Sequence, residues 1–397
     1  MNGITRKLMP AAFIALSTVG ATAVRADDGD RDDQPNRYAV TKLTSDLTGV
    51  ASNTDPILQN SWGVAFTPGA SPFWINDNDT GCATLYDGTG AIFKNNGTAI
   101  QVKIPLPGGG VTTACQHVNP ATPPNPTPAA PTGIVWNPTS AFLVPGTTSA
   151  SHFIFDTEDG TISAWASGSA ATIAVDNSKT PSPANGAVYK GLITGVNVNG
   201  VFLFATNFRA GTIDVFDTGF NQVIPGTSGK IDGGFTDPNI PAGFAPFGIQ
   251  NINGDLFVTY AKQNLQKHDD VAGPGNGFVD VFDTDGHLLR RFASRGPLNS
   301  PWGVARASFA FGRFSGDILV GNFGDGKINV FDSGGHFIDE LDGPNGRTLV
   351  IDGLWTLTLG GGLKSSSDTL YFTAGPNGET DGLFGTITPV SSSDNDD

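Results

Sequence analysis

One run in the chain sets a histidine beside two carboxylates: Lys267-His268-Asp269-Asp270, with Lys262 upstream and the string Gly273-Pro274-Gly275-Asn276-Gly277 downstream. An imidazole next to a carboxylate can work as a general base or as a metal ligand. The same run can equally serve as a lid, or as a patch held by Lys–Asp pairs. Other oxygen-bearing side chains sit in short strings that follow apolar stretches: Asp77 and Asp79; Asp156, Glu158 and Asp159; Asn207 with Arg209; Asn322 and Asp325; and Asn377, Glu379 and Asp381. Brought together, they would form an oxygen-rich ring suited to a hard divalent cation such as Ca²⁺, with Asp269, Asp270, Asp156 and Asn322 as candidate ligands. The competing reading is local turn chemistry, in which Asp and Asn side chains bond their own backbone. There is no G-x-S-x-G, H-E-x-x-H, Walker or G-x-G-x-x-G string, so no catalytic residue and no organic cofactor are assigned.

What must position these groups is a repeated unit. Its first element is a short apolar strand around a glycine: NSWGVAF (60–66), PTGIVW (131–136), ITGVNV (193–198), PFGIQNI (246–252), PWGVA (301–305) and DGLWTL (352–357). The aligned glycines are Gly63, Gly133, Gly195, Gly248, Gly303 and Gly353. A second apolar strand ends in Asp, Asn or Gly, as in FWINDND (73–79) and ILVGNFGD (318–325). A third has the form of TIDVFDTG (212–219), and a fourth follows in most units, as in 287–292 and 336–341. Period-2 alternation and tight Gly/Asp turns mark antiparallel strands.

Four strands repeated six times predict an all-β, six-bladed β-propeller spanning 37–390, which hides its sheet edges by radial repetition. The last unit stops after three strands, and Tyr38–Leu43 is expected to supply its fourth and close the ring. In such a ring, the loops entering the first strands and those joining second to third strands share one face, where the polar residues above would converge. The loop from Lys262 to Gly277 is the long exception, and long loops on rigid scaffolds often carry function. Trp62 and Trp302 occupy equivalent repeat positions and are expected to pack. His117, His152, His287 and His336 lie in separate units. The stretch 119–131 reads as a stiff, Pro-rich excursion.

Composition agrees. With 53 Gly and 27 Pro in 397 residues, long helices are interrupted too often for a helical bundle or a doubly wound α/β fold. A hydrophobic fraction of 38% is too high for a disordered chain.

The units resemble the six-bladed propellers of the NHL-repeat and senescence-marker/gluconolactonase-like superfamily. The strings LNSPWGVA, GNFGDGKINVFD, KHDDVAGPGNGFVDVFD and LYFTAGPN resemble an uncharacterised family of exported bacterial propellers. The resemblance runs from about Tyr38 to Pro389 and implies the fold. The lactonase relatives place a metal-binding Glu just before the first inner strand; Asn60-Ser61-Trp62-Gly63 stands there in this chain, without it.

Residues 1–26 read as a secretory signal, with Arg6 and Lys7 ahead of an apolar stretch and Val24-Arg25-Ala26 as the cleavage site. Residues 27–36 are expected to form a disordered acidic arm and 391–397 a polar tail. An exported, secreted or periplasmic protein is the expectation. There, Cys82 and Cys115 should pair, since they fall at the same end of the first unit. Without the leader, 19 basic residues face 37 acidic ones, which excludes nucleic acid and anionic membranes as partners. The reading is a monomer that binds a small molecule or a protein partner at its loop-rich channel face. The alternatives are a divalent-metal-dependent hydrolase or lyase and a structural or cell-surface interaction protein.

Overall fold

The computed structural model describes residues 34–69, 71–110, 115–119 and 121–390. The leader, the arm up to residue 33 and the tail lie outside these residues. Among the described residues no helix is long and apolar enough to cross a membrane.

Six antiparallel sheets form the six blades expected from the repeats. Their innermost strands are Ser61–Ala65, Pro131–Trp136, Tyr189–Asn197, Phe244–Ile252, Pro301–Arg306 and Leu354–Leu359. Blade 6 takes its fourth strand from the N-terminal side: Tyr38–Ser45 pairs antiparallel with Leu383–Pro389, so the ring closes as predicted. Part of the stretch expected to be an acidic arm is structured. Asn36, assigned to the acidic arm, is buried and bonds the Glu340 carbonyl at 2.8 Å and the Asp342 amide at 3.0 Å.

The core lies between blades rather than under one sheet face. Second strands read as nearly continuous apolar runs because both of their faces are covered, and period-2 alternation sends neighbours to opposite interfaces. Phe153 and Phe155 pack against Trp74 and Leu85 of blade 1, while Ile154 between them faces Leu192 and Leu203 of blade 3. Leu256 and Val258 face blade 3, and Phe257 faces blade 5. Burying each such side chain is worth about 1.5–3 kcal/mol.

At the axis the blades approach too closely for side chains. A Cβ on Gly63 would sit 2.4 Å from the Thr132 carbonyl, one on Gly133 2.5 Å from the Leu192 amide, and one on Gly248 2.2 Å from the Trp302 carbonyl. These contacts correct the repeat alignment. In blade 3 the ring glycine is Gly191, which faces Gly248, and not Gly195. In blade 6 the position belongs to Thr356, not Gly353, and its hydroxyl donates to the Trp62 carbonyl at 2.7 Å. The corrected set is Gly63, Gly133, Gly191, Gly248, Gly303 and Thr356.

Candidate functional site at the channel mouth

The residue before each ring position points to the loop-rich end of the axis. The six are Trp62, Thr132, Lys190, Phe247, Trp302 and Trp355. Trp62 stacks on Trp355 with ring centroids 3.5 Å apart, and Trp302 meets both edge-on at 6.0 and 5.9 Å. This aromatic cluster is buried and plugs the axis beneath the loops. Asn60 locks it, since its Oδ1 accepts the indole N–H of both Trp62 and Trp355 at 3.0 Å. Trp62 and Trp302 are therefore packing residues, as expected. Below the ring, the inner strands line a half-open cavity of about 390 Å³.

Lys190 is the charged exception in this aromatic series. Its ammonium lies 5.1 Å from the Trp62 ring, 5.8 Å from Phe208 and 5.9 Å from Phe247, contacts of cation–π range. Its side chain is 3% exposed, so its charge needs partners. Glu158 of blade 2 forms a close ion pair with it, and Asp269 Oδ1 of blade 4 lies 4.0 Å away. Asn78 Nδ2 of blade 1 donates to the other Glu158 oxygen at 3.1 Å.

The long blade-4 loop delivers His268 and Asp269 to this point. It folds back on itself: Asn264 N donates to the Asp269 carbonyl at 2.8 Å, and Asn264 Oδ1 accepts from His268 N at 3.1 Å. Gln263 anchors the base of the loop by donating to the Phe208 carbonyl at 2.5 Å. His268 Nδ1 then lies 2.6 Å from Asp269 Oδ1 and 4.0 Å from Glu158 Oε1. The His268 hydrogen bond holds the Asp269 carboxyl below its ordinary range, aided by Lys190 and against partial burial. Among the described residues, Glu158, His268 and Asp269 are the one trio of His, Cys or acidic side chains whose ligand atoms lie close enough, within 4.8 Å, to hold a metal.

Blades 1 and 6 complete the rim. Asn60 Nδ2 donates to Glu379 Oε2 at 3.0 Å. Burial pushes the Glu379 carboxyl up to about 7, with Glu158 adding repulsion. Burial also raises Asp79 to about 6, opposed by Asn60 and reinforced by Glu158 and Asp46. Asp270 is raised by burial as well.

Other expected site residues are used within the fold. Asp77 is fully buried and accepts from Thr84 at 2.8 Å. Asp156 lies opposite the ring in blade 2 and accepts from Gly133 N at 2.6 Å and Thr132 Oγ1 at 2.9 Å. Burial drives its carboxyl up to about 7. Asp159 caps the Ala130 amide at 2.8 Å. Asn322, buried at a strand end, bonds Pro297 O and Asp325 Oδ1, and Asn377 bonds Asp381 within a turn. Asn207 likewise bonds Asp214. The ligand set Asp269, Asp270, Asp156 and Asn322 is thus not assembled, because Asp156 and Asn322 are held inside blades. The counter-charge comes from an inner strand and not from the loop or from Arg209. Arg209 donates to the Gly186 carbonyl at 2.9 Å, Lys262 and Lys267 are exposed, and Lys190 pairs with the carboxylates.

Cys82 and Cys115 form the predicted disulfide, with Cα atoms 5.9 Å apart. It tethers a segment whose Val118 is clamped by Gln59, the neighbour of Asn60, through bonds of 2.6 and 3.0 Å.

No protein-family model matches the chain. Uncharacterized protein R648 of Acanthamoeba polyphaga mimivirus is 31% identical over 359 residues, covering 88% of this chain and 80% of the relative. Uncharacterized protein L690 of the same virus is 32% identical over 356 residues, covering 88% and 85%. The chain belongs to the family of these uncharacterized mimivirus proteins. These relatives give no support to a bacterial origin for the family. Among solved structures, virginiamycin B lyase from Staphylococcus aureus is similar at 11% identity and a TM-score of 0.47, over 89% of this chain and 100% of that one. A gluconolactonase from Xanthomonas campestris is similar at 13% identity and a TM-score of 0.46, over 83% and 87%. Likeness at this level concerns the fold alone.

Proposed function

We propose that this propeller is an exported protein that binds a small polar molecule at the channel mouth, held by Glu158, Lys190, His268 and Asp269. One observation carries the reading: charged side chains from blades 2, 3 and 4 meet at the axis, above a buried aromatic cluster. Convergence of that kind is what a ligand site on a rigid scaffold requires. A thermal-shift screen of small polar molecules on the full chain tests it. Molecules that stabilise the wild type should lose their effect in His268→Ala and Asp269→Asn. Equal stabilisation of all three proteins would move the site elsewhere.

A second reading, acid–base catalysis on the bound molecule, is favoured by the His268–Asp269 pair. A carboxylate on Nδ1 fixes the ring and its tautomer, leaving Nε2 to take a proton. The metal-dependent version is less favoured. The Glu158–His268–Asp269 trio already has the Lys190 ammonium against it, and a divalent cation there would meet a like charge.

A further inference from the structure

The interface between blades 1 and 2 is open at the end remote from the channel mouth. The second strand of blade 2 begins at Phe153 and ends beside Glu158 at the mouth, and Trp74 stands near the start of the matching strand of blade 1. Between these two starts lies a half-open pocket of about 560 Å³. Trp74 and Phe153, stacked with ring centroids 4.3 Å apart, form its buried base. The half-buried rings of Trp165 and Phe93 supply the open aromatic surface. Trp165 lies 4.7 Å from Trp74 and 6.3 Å from the exposed His152 ring at the rim.

Blade 1 builds one wall with an insertion. In blades 4 and 5 a short turn joins the third strand to the fourth, Phe282 to Leu288 and Phe331 to Phe337. In blade 1 the connection from Tyr86 to Gln101 is longer and carries a small hairpin, Lys94–Asn95 paired with Thr98–Ala99. Its base is pinned, since Phe93 N donates to the Leu85 carbonyl at 2.8 Å and Ile100 N to the Phe93 carbonyl at 3.2 Å. Phe93 is thereby held against the pocket.

The lining selects its occupant. It holds no Asp, Glu, Lys or Arg, in a chain with 37 acidic residues. A charged occupant would lose water there without gaining a counter-charge, so the occupant is uncharged. Polar groups stand at one end only: the His152 imidazole, the Asn95 amide and the Ser167 hydroxyl are exposed and have no hydrogen-bond partner among the described residues. A sugar needs hydrogen bonds around its whole edge, and the ring-lined base would leave hydroxyls unpaired. A flat ring system with one polar end leaves none. It also meets Trp165 and Phe93 in the stacked or edge-on arrangements that aromatic pairs favour. We infer that this pocket binds a small uncharged aromatic molecule, its rings against Trp165 and its polar end toward His152. The site is separate from the channel mouth and does not rest on the reading given for it.

Trp165 reports directly, because its indole N–H donates to the Gly168 carbonyl at 3.0 Å within the pocket wall. The experiment titrates the full chain at pH 7.5 and follows this indole ¹⁵N–¹H resonance. The probes are 2-naphthol, its saturated counterpart decahydro-2-naphthol, 2-naphthoate and methyl glucoside. The expected result is a saturable shift with 2-naphthol, about fivefold weaker binding of the saturated alcohol, and no saturable shift with the anion or the sugar. His152→Ala should weaken 2-naphthol about threefold to fivefold, and Ser167→Phe, which places a ring across the rim, should abolish its binding. Both positions are exposed, so the melting temperature should stay that of the wild type. His268→Ala at the mouth should leave the titration unchanged. Equal affinity for the saturated alcohol would overturn the aromatic class, and equal affinity for 2-naphthoate the uncharged one. A saturable shift with methyl glucoside stronger than with 2-naphthol would make the pocket a sugar site. Binding that survives Ser167→Phe, or that is lost in His268→Ala, would place 2-naphthol elsewhere. A Trp165 shift that grows with protein concentration alone would make the pocket a contact between copies. No saturable shift with 2-naphthol would overturn the inference outright.

Discussion

Lys190 and Glu158 form an ion pair across blades 2 and 3 at the channel mouth, with 3% and 12% of their side chains exposed. A pair this sheltered stabilises only while both partners are present. Lys190→Met should therefore destabilise the domain by about 3–5 kcal/mol, because Glu158 stays buried and uncompensated. Lys190→Met combined with Glu158→Gln should recover most of that loss. Urea denaturation of the three proteins checks the coupling, and a double variant as unstable as the single would show that the pair is not the cause.

Glu379 makes the fold sensitive to neutral pH. The groups facing it are Asn60, Glu158, Lys190 and Asp270, and burial lifts its carboxyl from 4.5 to about 7. A folded-state pKa above the unfolded one gives stability that is full below the unfolded value and lost as pH rises through the folded one. Glu379→Gln should match the wild type near pH 5 and exceed it at pH 8, by on the order of 1–2 kcal/mol. Melting temperatures across that range measure the difference.

Gly248 occupies the tightest point of the ring, where a Cβ would meet the Trp302 carbonyl at 2.2 Å. Backbone cannot yield as a side-chain tip can. Gly248→Ala should cost about 2 kcal/mol or more. Gly254→Ala is the informative comparison for space: a Cβ there meets nothing within 4 Å, so its cost should come only from its φ of +96°.

The Cys82–Cys115 bridge spans 33 residues. The loop-entropy model puts its contribution at roughly 3–4 kcal/mol. Reduction, or Cys82→Ser with Cys115→Ser, should lower the melting temperature accordingly. Intact-mass measurement after alkylation should find no free thiol in the unreduced protein.

Ring closure depends on Tyr38–Ser45. Deleting residues up to 45 should expose the edge of Leu383–Pro389 and destabilise every blade. Deleting residues 27–33 should leave the melting temperature unchanged, whereas a cut that removes Asn36 should already lower it, because its bonds to Glu340 and Asp342 are lost.

The amino-acid sequence by itself determined the blades, their number and the strand that closes them, because each strand's alternation and each turn's Gly or Asp is a local property. It also determined which loop is exceptional, and that loop does carry His268 and Asp269 to the axis. Tertiary structure alone decided which polar residues face the mouth. Asp156, Asn322 and Asp159 are polar residues at the same ends of second strands as Glu158, yet only Glu158 pairs with Lys190. Lys190 itself was hidden by a register of four residues. Taking Gly195 as the ring glycine puts Thr194 in the position before it, whereas close approach of the backbones selects Gly191 and so puts a lysine among Trp62, Phe247, Trp302 and Trp355. Repeats recur in sequence at loose intervals, but the space for a Cβ at the axis is set by the neighbouring blade. That neighbour lies more than fifty residues away, so only the closed ring can choose between two glycines four positions apart.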